Sequence, residues 1–450
     1  MAQTICVLGL GYIGLPTASV LANSGHRVIG VDIDASVVDA LNRGRTNLFE
    51  PGLKTLVAGA LGSGNLSVRT TPCQADAFII AVPTPFGPGH VPDLHHVREA
   101  TEAIVPVLRP GALVVLESTS PPLTTRDLVA PLLSRSGLEL GTDLFVAYCP
   151  ERVLPGRILQ EIISNHRVIG GLDPRSAELA RALYASFVAG EIHLTDATTA
   201  EMVKLMENSF RDVNIALANE LALMAERVDI DAWEVVRLAN LHPRVNLHRP
   251  GPGVGGHCIS VDPWFLVDRF GPDAKLVRTA REVNDRMPGQ VVDIVLDAVA
   301  GIARPRVTAL GLAYKANVGD LRESPAVEIV RQIEAHGVEV RAYDPYVREW
   351  DSELLSLEAA FQGSDLALLL VDHDEFRYLH PGPLGELMRR KVVFDTRCTL
   401  DRMLWHTAGF DARVLGKARL RRPDDAAGKL AVVQQSMAPE PIASAREDEA

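Results

Sequence analysis

Short runs of Val, Ile and Leu open the chain and return at intervals: TICVLGLG at 4–11, HRVIGVDID at 26–34, AFIIAVP at 77–83, ALVVLEST at 112–119 and DLFVAYCPE at 143–151. Helical stretches separate them, the first two from about Ile13 and Ala35. Continuous apolar strands alternating with helices are what a parallel sheet covered on both faces requires, so a doubly wound α/β domain is predicted. From Thr198 the period lengthens to that of a helix. Thr198 followed three residues later by Glu201 reads as a capping box. One helix is expected to run to about Val228 and a second from Asp231 to before Pro243, which cannot continue the turn. At Arg306 the strand–helix alternation resumes with RVTALGLAYK, then a helix after Pro325, VEVRAYDP, DLALLLVDH and KVVFDTR. This predicts a second α/β domain. It carries Gly311 but no G-x-G-x-x-G, so no second dinucleotide site is expected.

The 450 residues suffice for two to four domains at roughly 100–200 residues each. The boundaries read as 1–197, 198–303 and 304–420, with a tail at 421–450 whose Ala, Pro, Asp and Glu content and lack of aromatic residues predict disorder. A net charge of −12 disfavours nucleic acid and anionic membranes as partners, and an anionic ligand would need its own basic pocket. The five cysteines are widely spaced and form no C-x-x-C, which argues against a disulfide framework or a structural metal and for a reducing compartment. The start of the chain has no basic segment or cleavage site, and no apolar run approaches the roughly 20 residues of a membrane span. A cytoplasmic protein is expected.

Gly9, Gly11 and Gly14 spell G-x-G-x-x-G between the first strand and the first helix, and Asp32 ends the second strand. Such glycines let the backbone approach a pyrophosphate at a helix N-terminus, and the acid favours the free ribose hydroxyls of NAD over the phosphate of NADP. Cys258 lies in the glycine-rich loop PGPGVGGHCISVDPWF (250–265), four residues before Asp262. A nucleophilic thiol and a buried structural cysteine both fit that setting. His257 invites a Cys–His pair, although neighbouring side chains usually diverge. Lys204, Asn208 and Arg211 share a helix face, either as donors for a developing oxyanion or as a solvated surface. His242, Arg244 and Arg249 suit an anion clamp or an ordinary charged turn.

Taken together, these segments resemble the nucleotide-sugar dehydrogenase family, which oxidises UDP-glucose, GDP-mannose or UDP-N-acetylmannosamine at C6. The likeness is strongest to the members acting on UDP-N-acetylmannosamine. It rests on GLGYIGLPTA (9–18), AVPTPF (81–86), ESTSP (117–121), YCPERVLPG (148–156), TAEMVKLMENSFRDVNIALANEL (199–221), HPRVN (242–246), the cysteine loop and DLRESPA (320–326). Two segments, PLTT at 122–125 and Asp395-Thr396-Arg397, depart from the family pattern. The resemblance implies an α/β fold of two Rossmann-like doubly wound domains joined by a central helical domain. It implies Cys258 as nucleophile, Lys204 and Asn208 as acid/base or oxyanion partners, and Asp262 and Glu151 as groups that position or activate water. It implies NAD contacts at Gly9, Gly11, Tyr12, Ile13, Gly14, Asp32, Thr84, Thr119 and Thr125, with Arg322 reaching NAD across the cleft. Nucleotide-sugar contacts are implied at Arg152, Val153, Arg211, His242, Arg244 and Gly255, and contacts with UDP at Tyr314 and Lys315. A homodimer or higher oligomer through the central helices is implied as well, with Arg244 serving a neighbouring subunit. The expected reaction is a four-electron oxidation of the C6 alcohol to a carboxylate through a thiohemiacetal and a thioester on Cys258, using two NAD per turnover. UDP-glucose or GDP-mannose are the alternative substrates. A two-domain hydroxyacid dehydrogenase would leave the domain from Arg306 without a purpose, and an inactive NAD sensor would not need Cys258, Lys204, Asn208 and Asp262 together.

Overall fold

The structure, a computed structural model, describes residues 2–46, 48 and 50–417; the tail expected at 421–450 lies outside them. Eight strands form the first sheet: β1 (Thr4–Leu8), β2 (Arg27–Val31), β3 (Leu66–Arg69), β4 (Ala77–Ile80), β5 (Ala112–Leu116), β6 (Leu144–Tyr148), β7 (Arg167–Gly171) and β8 (Ile192–Asp196). Their order is 3-2-1-4-5-6-7-8. The central strands are sealed on both faces, with Val114, Val115 and Leu116 wholly buried, each such side chain contributing about 1.5–3 kcal/mol. The pairing is parallel from β3 through β6. Between β6 and β7 it reverses to antiparallel, and β7 and β8 pair parallel with each other, so the all-parallel sheet expected from the apolar runs is broken at one junction. The alternating pattern of β3 and the largely exposed β8 explain why neither reads as a buried parallel strand.

The second sheet is wholly parallel: β9 (Arg306–Leu310), β10 (Glu339–Tyr343), β11 (Leu366–Leu369), β12 (Val392–Asp395) and β13 (Asp411–Val414), in the order 10-9-11-12-13.

Between the sheets a 32-residue helix, Ala197–Val228, spans roughly 48 Å. Its cap is Asp196, whose carboxylate accepts from the Thr199 amide at 2.9 Å, not Thr198 as the capping-box pattern predicts. Glu201 turns instead into the first domain, accepting from the amides of Leu123 at 2.6 Å and Thr125 at 2.8 Å. A buried carboxylate satisfied by two amides fastens the helix to the first sheet more firmly than reciprocal capping would. The shorter helix Ala232–Ala239 is capped by Asp231, as expected. A long helix, Lys275–Val299, packs against Ala197–Val228 through a buried polar seam. In that seam Arg281 pairs with Asp212 at 2.6 Å, and Asn219 donates to Asn284 at 2.9 Å. Asn219 also accepts from the Gly251 amide at 2.9 Å, which ties the loop leading to Cys258 to both helices.

Candidate active site

The cysteine loop is pressed against the third domain because its glycines permit the approach. A Cβ on Gly255 would stand 2.4 Å from the Glu323 carbonyl oxygen. Gly256, at φ +81°, donates its amide to the Arg322 carbonyl at 3.2 Å. Just beyond, the helix Asp262–Phe270 starts with Pro263 in its first turn, a residue preorganised for that position. The Asp262 amide closes on the Cys258 carbonyl at 2.8 Å.

Cys258 is solvent-accessible yet walled by protein, as at the floor of a crevice. Burial and the nearby Asp262 push its thiol up to about 11, while Lys204, Arg211 and Arg322 pull it down. Asp262 is buried. Desolvation raises its carboxyl to about 6 against the pull of Lys204, a hydrogen bond from Asn208 and the charge of Arg211. Asn208 donates its amide to Asp262 and accepts from the Arg211 guanidinium. Lys204 and Asn208 are themselves buried, so this face of the long helix is not a solvated stripe. It lines the cysteine's wall with a cation, an amide and a second cation one turn apart each.

Residues from the two α/β domains complete the crevice. Arg322 lies over the Tyr12 ring at 4.8 Å and donates from Nε to Asp320 at 2.9 Å. Burial, then Asp320 and Cys258, raise the Tyr314 phenol to about 12. Lys315 reaches the Pro155 carbonyl in the first domain at 3.4 Å.

In the turn after β1, Gly9 sits at φ +88°, where a Cβ would meet the Ala81 oxygen at 2.5 Å, and a Cβ on Gly14 would fall 1.8 Å from the Gly9 oxygen. A Cβ on Gly11 would meet nothing within 4 Å, leaving open space over a helix start, Gly14–Asn23, that no side chain caps. Free amides facing open space form an anion cradle, and Ile13 lies half-buried beside it. Asp32, at the end of β2, accepts from the Leu10 amide at 2.9 Å. Thr84 donates to the Thr119 carbonyl at 2.7 Å, joining the loops after β4 and β5.

Other expected residues lie elsewhere. Thr125, expected at the cofactor, is completely buried, and its hydroxyl donates to Glu201 at 2.6 Å at the helix anchor. Glu151 pairs with the buried Arg167 at 2.7 Å. Glu117, pushed up to about 8 by burial and by Glu151, stands 4.0 Å from the same guanidinium. Arg152 pairs with Glu207 at 2.5 Å, and Val153 packs against the first core. His242 and Arg244 occupy an exposed turn, where the guanidinium lies 3.5 Å from the imidazole, so the fold of one chain does not add them to the group around Cys258. The pattern gave no sign of Arg167, a polar residue at the head of a strand. His257, set aside because neighbouring side chains diverge, has its Nδ1 3.4 Å from the Cys258 sulfur.

Residues 3–188 match the NAD binding domain of the UDP-glucose/GDP-mannose dehydrogenase family, 198–286 its central domain and 308–402 its UDP binding domain. A UDP-N-acetyl-D-mannosamine dehydrogenase of Methanococcus maripaludis is 47% identical over 423 residues, covering 92% of this chain and 97% of its own. An NDP-N-acetyl-D-galactosaminuronic acid dehydrogenase of Ralstonia nicotianae is 49% identical over 409 residues, covering 88% and 96%. The solved UDP-D-ManNAc dehydrogenase from Pyrococcus horikoshii superposes with a TM-score of 0.87 at 44% identity, over 93% of this chain and 100% of that one.

Proposed function

The chain belongs to the UDP-glucose/GDP-mannose dehydrogenase family, and from that premise we propose that it oxidises C6 of UDP-N-acetyl-D-mannosamine from alcohol to carboxylate. The observation that carries the reading is Cys258 on the floor of a crevice whose wall is Lys204, Asn208 and Asp262. The cradle at Gly9–Gly14, open over Gly11, fits the pyrophosphate of NAD, with Asp32 placed for the ribose. NAD, when bound, accepts a hydride from C6 in each of the two oxidations.

Cys258 captures the aldehyde as a thiohemiacetal, holding the carbon in place between oxidations, so that no second binding event is needed. Lys204 and Asn208 stabilise the oxygen that carries negative charge; removing one such donor typically costs about 10²–10³ in rate. Asp262, with its carboxyl near 6, is ionised at neutral pH and takes a proton from the water that opens the thioester. Glu151, held by Arg167 and accepting from the Arg152 amide at 2.7 Å, positions the segment that follows it. Tyr314, Lys315 and Gly255 receive the nucleotide, and Arg322 closes over Tyr12.

A dimer is part of the same reading. Met206, Phe210, Leu217, Met224 and Val228 form an exposed apolar stripe along the long helix, whose spacing of four and seven residues keeps them on one face. Across such an interface Arg244 and His242 would serve the partner's crevice. A cytoplasmic setting accords with five free thiols. Among the described residues no helix is long and apolar enough to cross a membrane.

A second reading, an N-acetylgalactosamine nucleotide sugar as substrate, is favoured by the Ralstonia relative. Incubation with NAD and UDP-N-acetylmannosamine, UDP-N-acetylgalactosamine, UDP-glucose or GDP-mannose separates them. The first is expected to yield two NADH per acid; one NADH with accumulating aldehyde would overturn the covalent scheme.

A further inference from the structure

Among the described residues, the Cys258 sulfur has one hydrogen-bonding partner, Nδ1 of His257 at 3.4 Å. In a regular helix or strand, adjacent side chains point apart. Here Gly255 and Gly256 turn the chain just before the pair, Gly256 in the left-handed region. Both side chains remain open to the crevice. We propose that His257 is the proton acceptor for Cys258: Nδ1 takes the thiol proton as the sulfur bonds to C6 of the sugar aldehyde. The proposal deepens the covalent reading above and rests on it. In that step one S–H bond breaks and one S–C6 bond forms. The carbonyl π pair moves to the C6 oxygen, beside Lys204 and Asn208, and the imidazolium returns its proton to crevice water.

The electrostatics supply the need for a base and a group able to fill it. Burial first, then Asp262, raise the thiol to about 11; Lys204, Arg211 and Arg322 only partly offset them. A thiol so placed is protonated at neutral pH, and the thiol is a poor nucleophile compared with its thiolate. His257 is held below the usual histidine value by burial, then by Arg322, with Lys204 adding to the effect and Asp320 opposing it. Its imidazole is neutral near pH 7. With the ring proton on Nε2, the Nδ1 lone pair faces sulfur. The other groups around the thiol are committed elsewhere. Asn208 is no base, Lys204 is a cation, and Asp262 accepts from Asn208. The Tyr314 phenol, raised to about 12 by burial, Asp320 and Cys258, holds its own proton. The labour is divided: His257 serves the sulfur, and Asp262 serves water.

Iodoacetamide alkylation of the full chain, read peptide by peptide so that Cys258 is separated from the other four thiols, tests this from pH 6 to 10 without turnover. In wild type, Cys258 should react at least about tenfold faster at pH 7.5 than in His257→Gln, whose rate should rise only towards the high thiol value. Acid formation should fall about 10²-fold in that variant, the usual span of a lost general base, with NAD binding unchanged. Imidazole added to His257→Ala should restore part of the rate. Coincident alkylation profiles in wild type and a His257→Gln variant that still binds NAD would overturn the proposal. Cys258→Ser separates the two ideas. If it still makes acid, the covalent reading itself fails. If it is dead while His257→Gln turns over at the wild-type rate, the pairing alone fails.

Discussion

In the first sheet the turn after β1 holds Gly9 at φ +88°, its amide on the Val31 carbonyl at 2.8 Å; in the second, the turn after β9 holds Gly311 at φ +88°, its amide on the Tyr343 carbonyl at 2.8 Å. Each turn is steadied by an aspartate from the neighbouring strand. Asp32 accepts from the Leu10 amide at 2.9 Å, and Asp344 accepts from the Leu312 amide at 2.7 Å. The two halves then part. After Gly9 come Gly11 and Gly14, and the helix starts at once, leaving amides over open space. After Gly311 come Leu312, Ala313, Tyr314 and Lys315, and the helix waits until Pro325. Asp344 is buried and hydrogen-bonded to His373 at 3.1 Å, whereas Asp32 keeps part of its surface in solvent. One strand-and-turn frame therefore leaves an open helix start where side chains are missing, and carries a phenol and an ammonium where they are present.

Breaking the cradle is expected to have the largest effect. The Cβ of Gly11→Val meets nothing within 4 Å, so the fold should stand while NAD affinity falls at least about 100-fold. Calorimetric titrations with NAD and with UDP, run separately, should show UDP binding intact; a parallel loss of UDP affinity would erase the distinction between the two domains. Next, Lys315→Ala should weaken UDP about tenfold, or about 1.4 kcal/mol, and leave NAD untouched in the same titrations.

Two aspartates sharpen the contrast through pH and stability. Asp262 has its carboxyl raised to about 6 by burial, so hydrolysis of the thioester should fall as pH drops through that value. Single-turnover acid release should trace that limb in wild type and lose it in Asp262→Asn. Asp344 is displaced the other way. Burial would raise it, but the hydrogen bond and charge of His373 and the Leu312 and Tyr346 amides outweigh that and hold the carboxyl below its ordinary value. Its contribution to stability is present above the usual carboxylate range and lost as pH falls through the lower folded value. Asp344→Asn should cost about 1–3 kcal/mol, seen as a lower thermal midpoint at neutral pH that converges on wild type in acid, while the matching Asp32→Asn should change NAD affinity more than stability.

Much of this was legible from local pattern. Apolar runs marked β1, β2, β4, β5 and β6 of the first sheet and β9 to β12 of the second, and Gly9, Gly11 and Gly14 marked the turn after β1. Strands β3, β7, β8 and β13 escaped because burial only alternates along β3 and β13, Arg167 heads β7, and β8 is largely exposed, so none shows a continuous apolar run. Glu201 was misread as a capping partner because sequence shows only the residue three positions before it, and Thr125, 76 positions away, is its actual neighbour. His257 was discounted by a rule for regular backbone that a left-handed glycine suspends.

By itself, then, the amino-acid order determined most of the succession of strands and helices, the glycine turn and the chemical types available near Cys258, because period, missing Cβ atoms and proline stops act within a few residues. Only the tertiary structure decided which of those groups share a wall. Asn208 and Asp262 meet across 54 positions, Lys315 and Pro155 across 160, and Thr125 is turned inward; a carboxyl's environment is set by what packs around it, and packing is not written in any one segment.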